Sequence, residues 1–406
     1  MKQFFTLVAC VASTLLNAQV FTTWTTAQGL PSNDLRDIAI AADGTIWLAT
    51  SEGVVAFDGT NFTVHNTTTH PGLAANDVYA IAATTTGEVW AGTDFGVSVF
   101  DGSTYTTYTT ANGLGDDVIR NIKEAPNGDV WLATINGATR TNINSITAFG
   151  SPDIPFGGTT YIAFAGNGDV LLGGGLGGMI IYNGSTFSTV TTANGLLSNR
   201  IRSIALNDAE QRWIATADGI SVLDGSNTHI TDHENVFILP PPDELNPITD
   251  ILVDDFGRVW AGVYVDYLVT EGGISMYDGT QWTQWETSDG LAGPNVTRIA
   301  MDEDGNLWIA TSTGLTRMSG INIGISENEK AASFQVFPNP ATTTLTLVVD
   351  MQAGQQSPFE IYDAQSRRVM DGTMAAGRST IDVSAFDAGI YMVRIGNTTH
   401  RFVVAR

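Results

Sequence analysis

The sequence predicts an all-β chain, a seven-bladed β-propeller followed by a small C-terminal β-sandwich. Three observations carry this expectation. First, a pattern recurs: an alternating apolar run, Asp/Asn-Gly-x-x-Trp, Ala-Thr or Gly-Thr, x-x-Gly, and a second alternating run ending in Asp-Gly. Its anchors are Trp47, Trp90, Trp131, Leu171, Trp213, Trp260 and Trp308, spaced by 43, 41, 40, 42, 47 and 48 residues. Units of that period, each built of four short strands, are the blades of a propeller. Second, the N-terminal "FTTWTTAQGL", residues 21–30, repeats the fourth-strand text "YTTYTTANGL", residues 105–114, while the seventh unit stops after its third strand near "GLTRMSG". Third, the text changes after a polar linker at 322–332, which sets off residues 333–406 from a propeller spanning 19–321.

The elements follow in chain order. In residues 1–18, Lys2 precedes an apolar stretch from Phe4 to Leu16 and small residues gather around Ala18, the pattern of a secretory signal peptide. That stretch is shorter than the roughly 20 residues of a membrane-spanning helix, and no later segment is apolar enough to span. The only cysteine, Cys10, lies in this leader, so the exported chain is expected to hold together by packing and backbone pairing without disulfides. Residues 20–26 are expected to close the last blade, which also hides a sheet edge that would otherwise invite pairing with another chain. In the unit around Trp90, "DVYAIAA", "EVWAGT", "VSVFDG" and "TYTTYTT" read as four strands, with Asp-Gly and Asn-Gly pairs at the hairpin turns because they tolerate positive φ.

The sixth unit is longer than its siblings. Trp90 to Asp101 is eleven residues, whereas Trp260 to Asp278 is eighteen. The connection from Asp224 to Trp260 is 36 residues, against 30 from Asn183 to Trp213. In an up-and-down blade these two kinds of connection emerge on the same face. The expected result is a raised rim carrying Phe237, Tyr264 and Tyr267 beside Asp243, Glu244, Asp266 and Glu271. Loops on a rigid scaffold are common binding surfaces, and aromatics among carboxylates suit a carbohydrate or peptide ligand. Neutral loop growth is the competing reading, since long surface insertions cost little stability.

Charge narrows the partners. Residues 19–326 hold ten basic and 34 acidic side chains, whereas residues 333–406 balance six against six. A propeller of that sign repels nucleic acid and anionic lipid. No catalytic set, metal site or cofactor site is legible. His229 and His233, followed by Glu234, have a zinc-like spacing but fall on a strand, so they read as surface histidines. "DEDG", residues 302–305, occupies a hairpin turn that other repeats fill with "AADG" or "APNG", and it lacks a full calcium-loop pattern. The glycines of "GGGLGG", residues 173–178, replace an ordinary turn, and the repeated tryptophans read as blade core.

Text such as "GLPSNDLRDIAIAADGTIWLATSEGVVAFDG", residues 29–59, resembles the two-component regulator propeller repeat, known from periplasmic sensor regions, and the likeness covers roughly residues 20–320. In the tail, Pro338-Asn339-Pro340, the Tyr362-Asp363 strand end, Gly389-Ile390-Tyr391 and a closing basic-apolar strand resemble the C-terminal sorting domain of the type IX secretion system. That resemblance implies passage through the periplasm and across the outer membrane of a Bacteroidota-type cell, with the secretion machinery as partner. It also implies removal of the domain on release or on attachment to surface lipopolysaccharide. The resulting expectation is a secreted or cell-surface binding or adhesion module for glycan or a surface protein. A propeller lyase or hydrolase acting on a polysaccharide or small molecule, and a structural surface-layer protein, are the alternatives.

Overall fold

The repeats form four-stranded antiparallel sheets. Blade 1 runs through Leu35–Ile40, Ile46–Thr50, Gly53–Phe57 and Phe62–His65, each strand pairing with the next. Six further sheets of this kind complete a seven-bladed propeller. The computed structural model describes residues 19–142, 145–154, 158–238, 247–264, 271–321, 334–337, 340–349, 356–363, 367–375, 377–395 and 398–405. The expected leader and linker lie outside the described residues. The chain divides into two units, Met1–Ile321 and Asn322–Arg406.

Second and third strands are mostly buried, and in blade 2 Val89–Thr93 and Gly96–Phe100 are buried along their whole length. That explains the anchor position: Trp90 and Trp260 are 1% and 0% exposed, and Leu171 is fully buried in the same place in blade 4. The anchor also meets a fourth-strand ring. Trp131 stacks on Phe149 at 5.4 Å, Trp260 on Trp285 at 5.6 Å and Trp213 on His233 at 5.2 Å. Such pairs add about 0.5–1.5 kcal/mol beyond area burial. The x-x-Gly of the repeat has a steric cause. Gly96 sits at φ +113°, and a Cβ there would collide with the carbonyl oxygen of Tyr108.

The last sheet is built from both ends of the propeller. Val20–Trp24 pairs antiparallel with Gly314–Ser319, placing Trp24 opposite Leu315, and Val296–Met301 lies innermost. Trp24 then stacks on Trp308 at 5.5 Å. The hydrophobic cores lie between neighbouring blades: Trp47, Ala49 and Val54 of blade 1 pack with Ile81, Val89 and Phe100 of blade 2.

The second unit holds two sheets. One contains Phe334–Phe337, Thr344–Val349 and Gly377–Asp382; the other contains Arg368–Ala375, Gln356–Asp363, Gly389–Ile395 and Thr398–Val404. Leu345 and Leu347 from the first join Ile361, Val393 and Phe402 from the second in one core, the packing of a small β-sandwich.

Candidate binding site at the channel mouth

The innermost strands of the seven blades contact one another in a closed circle. Six of them open with a β-bulge: Leu35/Asp37, Ile119/Asn121, Thr159/Tyr161, Ile201/Ser203, Ile248/Asp250 and Val296/Arg298. A bulge leaves one residue outside the ladder and re-aims its side chain. The skipped residues are Arg36, Arg120, Thr160, Arg202, Thr249 and Thr297, and Tyr79 stands at the same place in blade 2, just ahead of Ala80–Ala83. All seven line one cavity of about 500 Å³ at the channel mouth.

The seven residues divide by chemistry. The threonines tie blades together: Thr160 Oγ1 donates to Gly173 and Ile201 carbonyls at 3.1 and 2.6 Å, and Thr249 Oγ1 to Gly262 and Val296 carbonyls at 3.0 and 2.7 Å. Thr297 Oγ1 reaches the Leu35 carbonyl at 2.9 Å and so joins the seventh blade to the first. The longer side chains fill the mouth. Tyr79 is sandwiched between Arg36 and Arg120, whose guanidinium carbons lie 4.3 and 4.7 Å from its ring centre. Arg36 pairs with Asp34 at 3.2 Å and Asp77 at 2.7 Å, and Arg120 with Asp94 at 2.8 Å. The Tyr79 hydroxyl donates to Asp77 at 2.7 Å, which holds its pKa above the usual phenol value.

A polar floor closes the mouth one residue further down each strand. Asp37, Asn121, Ser203 and Asp250 accept the backbone N–H of Ile81, Ile162, Ile251 and Ile299 respectively, at 2.9, 3.2, 3.2 and 2.9 Å. Each therefore satisfies an otherwise orphaned donor of the next blade. In blade 7 the equivalent residue is Arg298, whose Nη1 donates to the Thr297 carbonyl at 3.0 Å and whose Nε lies 3.6 Å from Asp37. Burial raises the pKa of Asp37, against the opposing charges of Arg298 and Lys123.

Of the residues singled out in the sequence, Tyr264 lines this mouth. It ends the strand Val259–Tyr264, opposite Gly272, and Glu271 is half-buried. Phe237 departs from the expected rim. It is 2% exposed and packs with Val236, Ile248 and Val263, because a phenyl ring gains more by filling the gap between blades than by facing water. A side chain on Gly273 would meet the Phe237 ring, so the roots of the two insertions touch. Asp243, Glu244, Asp266 and Tyr267 lie outside the described residues. His233 is likewise not an idle surface residue: it stacks on Trp213 and its Nδ1 accepts from the Trp282 indole at 3.3 Å. His229 is exposed and pairs with Asp232 at 3.0 Å. In the tail, Pro338 and Asn339 lie outside the described residues and Pro340 is exposed. Gly389 starts a strand in which Tyr391 is buried, its hydroxyl donating to the Asp387 carbonyl at 3.0 Å. The bulged ring itself is absent from the sequence reading. Aligning the seven inner strands would have found it, since their second residues read Arg, Tyr, Arg, Thr, Arg, Thr, Thr.

Comparison with known proteins bears on both units. Residues 335–405 match the family described as secretion system C-terminal sorting domain, and residues 290–313 match the two component regulator propeller. No curated protein matches the sequence. Among solved structures, the chain is similar to the extracellular domain of a hybrid two component system from B. thetaiotaomicron, with 18% identity and a TM-score of 0.63 over 95% of this chain and 57% of that one. It is also similar to PorZ, a surface component of the type-IX secretion system of Porphyromonas gingivalis, with 18% identity and a TM-score of 0.59 over 93% of this chain and 60% of that one. The chain thus spans less than two thirds of either structure. Virginiamycin B lyase from Staphylococcus aureus matches with 14% identity and a TM-score of 0.57, covering 74% of this chain and 99% of that one. At these identities the likenesses establish the fold. Among the described residues no helix is long and apolar enough to cross a membrane. The chain is thus a secreted or cell-surface protein whose seven sheets form a propeller, with one stretch matching the two component regulator propeller, and whose tail matches a secretion system C-terminal sorting domain.

Proposed function

We propose that the propeller is a binding or adhesion module that takes a glycan, or a group on another surface protein, at the channel mouth. The observation that carries this reading is the cavity of about 500 Å³ to which every blade contributes a residue and Tyr264, at the root of the sixth-blade insertion, adds a ring. That volume is in the range of roughly 300–1,000 Å³ usual for small-ligand sites. Threonine ties between blades fix the wall in place, so a ligand would meet a preorganised surface and little ordering cost would oppose binding. Binding is favoured over turnover because the lining offers guanidinium, hydroxyl and phenol groups and, among the described residues, one carboxylate, Asp34, which Arg36 already engages. The C-terminal domain has a separate role, as the part read by the secretion machinery.

A glycan array probed with the full chain and with Tyr264→Ala tests the reading. Selective binding that falls at least about tenfold in the variant, an effect of the size expected for losing an aromatic contact at a site, would support it. Wild-type binding that the variant leaves unchanged would move the site away from the mouth. A protein that binds nothing and self-associates would favour the surface-layer alternative.

A further inference from the structure

Three exposed apolar side chains recur at one place in successive blades. Phe95, Ile135 and Leu176, 66%, 41% and 62% exposed, occupy the turns between second and third strands of blades 2, 3 and 4. The same turns of blades 1, 5 and 7 expose Glu52, Asp218 and Thr313 instead. These turns lie on the mouth face, since Gly175 and Ser312 line the mouth and Asp94 pairs with Arg120 there. Single exposed hydrophobics are ordinary on a protein surface, whereas grouped ones mark contact sites. Blades 2, 3 and 4 follow one another around the ring, so the three side chains form an arc beside the mouth.

Hydrogen bonds hold the turns that present them. The Phe95 N–H donates to Thr93 Oγ1 at 2.9 Å, and the Gly96 N–H to the Asp117 carbonyl at 2.8 Å. Asn136 Nδ2 donates to the Asp116 carboxylate, and the Gly178 N–H to the Asn199 carbonyl at 3.0 Å. The apolar side chains are therefore displayed on fixed backbone, and a partner would meet them with little ordering cost. Asp116 and Asp117 stand half-buried in the connection between blades 2 and 3. Their carboxylates accept from neutral donors, Val118 and Asn136 for the first and Thr110 for the second, and no cation pairs with either among the described residues. Arg200, beside Asn199, is the exposed cation at the far end of the arc.

We infer that blades 2–4 present a docking surface for another protein, one that sets aliphatic or aromatic side chains on Phe95, Ile135 and Leu176 and a Lys or Arg opposite Asp116 and Asp117. Charge selects this occupant. Residues 19–326 hold 34 acidic against ten basic side chains, so a second copy of the chain or an anionic lipid surface would be repelled, whereas a basic protein face is drawn in. Apolar anchors bordered by charge are the arrangement of a protein interface. None of the three side chains lines the mouth cavity, so a partner can dock here whether or not the mouth holds a ligand.

The test pans a random dodecapeptide library, displayed on phage, against the full chain. The double variant Phe95→Ser/Leu176→Ser is compared with Phe256→Ser, which removes an exposed ring from a turn between first and second strands, on the opposite face. Thermal melting of each variant confirms that it is folded. The expected result is enrichment of peptides that combine apolar residues with Lys or Arg. A synthetic copy of the strongest should bind wild type and Phe256→Ser alike and the double variant at least about tenfold more weakly. Raising NaCl from about 50 to 300 mM should weaken it further. Enriched peptides that are acidic or wholly polar, binding indifferent to the double variant, or no enrichment at all would overturn the protein partner. So would sedimentation showing self-association that the double variant loses, which would assign the arc to a second copy, or flotation with phosphatidylcholine vesicles that the variant loses, which would assign it to lipid. Glycan binding on the array with no peptide enriched would remove this surface and leave the mouth site standing.

Discussion

His65 shows how a single side chain couples this fold to pH. It ends the fourth strand of blade 1, is 6% exposed, lies 4.1 Å from the His70 ring and 5.4 Å from Trp47, and shares a hydrogen bond with the Tyr105 hydroxyl at 3.0 Å. Burial, and secondly the neighbouring His70, lower its pKa from 6.5 to about 4. Between those two values the unfolded chain binds the proton that the folded chain refuses. This contribution to stability is therefore complete above about pH 6.5 and is lost progressively as pH falls toward 4. The full loss is on the order of 3 kcal/mol. Urea unfolding at pH 7.5 and pH 5 should show the midpoint falling on acidification, with a shallower fall in His65→Gln, which keeps a partner for Tyr105 without the titration. An equal fall in both proteins would assign the pH response to other groups. Nothing in the sequence around "FTVH" marks His65 as buried, because its neighbours Phe100 and Tyr105 come from the next blade.

The element that decides ring closure is Val20–Trp24. Its backbone completes the last sheet, and Trp24 lies between Trp308 at 5.5 Å and Phe57 at 5.1 Å, so one ring bridges the seventh blade and the first. Trp24→Ala should cost about 3 kcal/mol, the low end for a large-to-small core change because the residue is only partly buried. It should also loosen the strand and uncover the edge of Gly314–Ser319. A lowered denaturant midpoint together with increased light scattering would bear this out; a lowered midpoint without association would show that the edge stays covered. Here the sequence was legible: the threonine-aromatic text of residues 21–30 matches that of a fourth strand, and the structure pairs it as one. The sixth-blade insertions were legible as extra length only. Their shared root, where Phe237 meets Gly273, depends on packing between segments some 36 residues apart in the chain.

At the scale of the whole molecule, charge opposes the compact state. Residues 19–326 carry 34 acidic against ten basic side chains, and half of those basic groups are drawn into one mouth, leaving the rest of the surface strongly negative. Self-repulsion of that kind is relieved by salt, since the screening length shrinks from about 30 Å at 0.01 M to about 8 Å at 0.15 M. The melting temperature of the propeller should therefore rise by a few degrees over that range at neutral pH. A protein stabilised mainly by exposed ion pairs would show the opposite sign. A flat or falling melting temperature would mean that local pairs such as Arg120–Asp94 outweigh the long-range repulsion.

The amino-acid sequence by itself determined the number of blades, the strands within each, the closing strand and the sorting tail. These depend on short-range signals, namely alternation, turn pairs and a fixed period, that each repeat states again. Only the tertiary structure decided where the chemistry lies. Arg36, Arg120 and Arg202 are scattered through 167 residues of text, and only closure of the ring turns one bulged position per blade into a single wall. The same closure drew Phe237 inward and left Tyr264 at the mouth, because which side chain faces water depends on what the neighbouring blade presents to it.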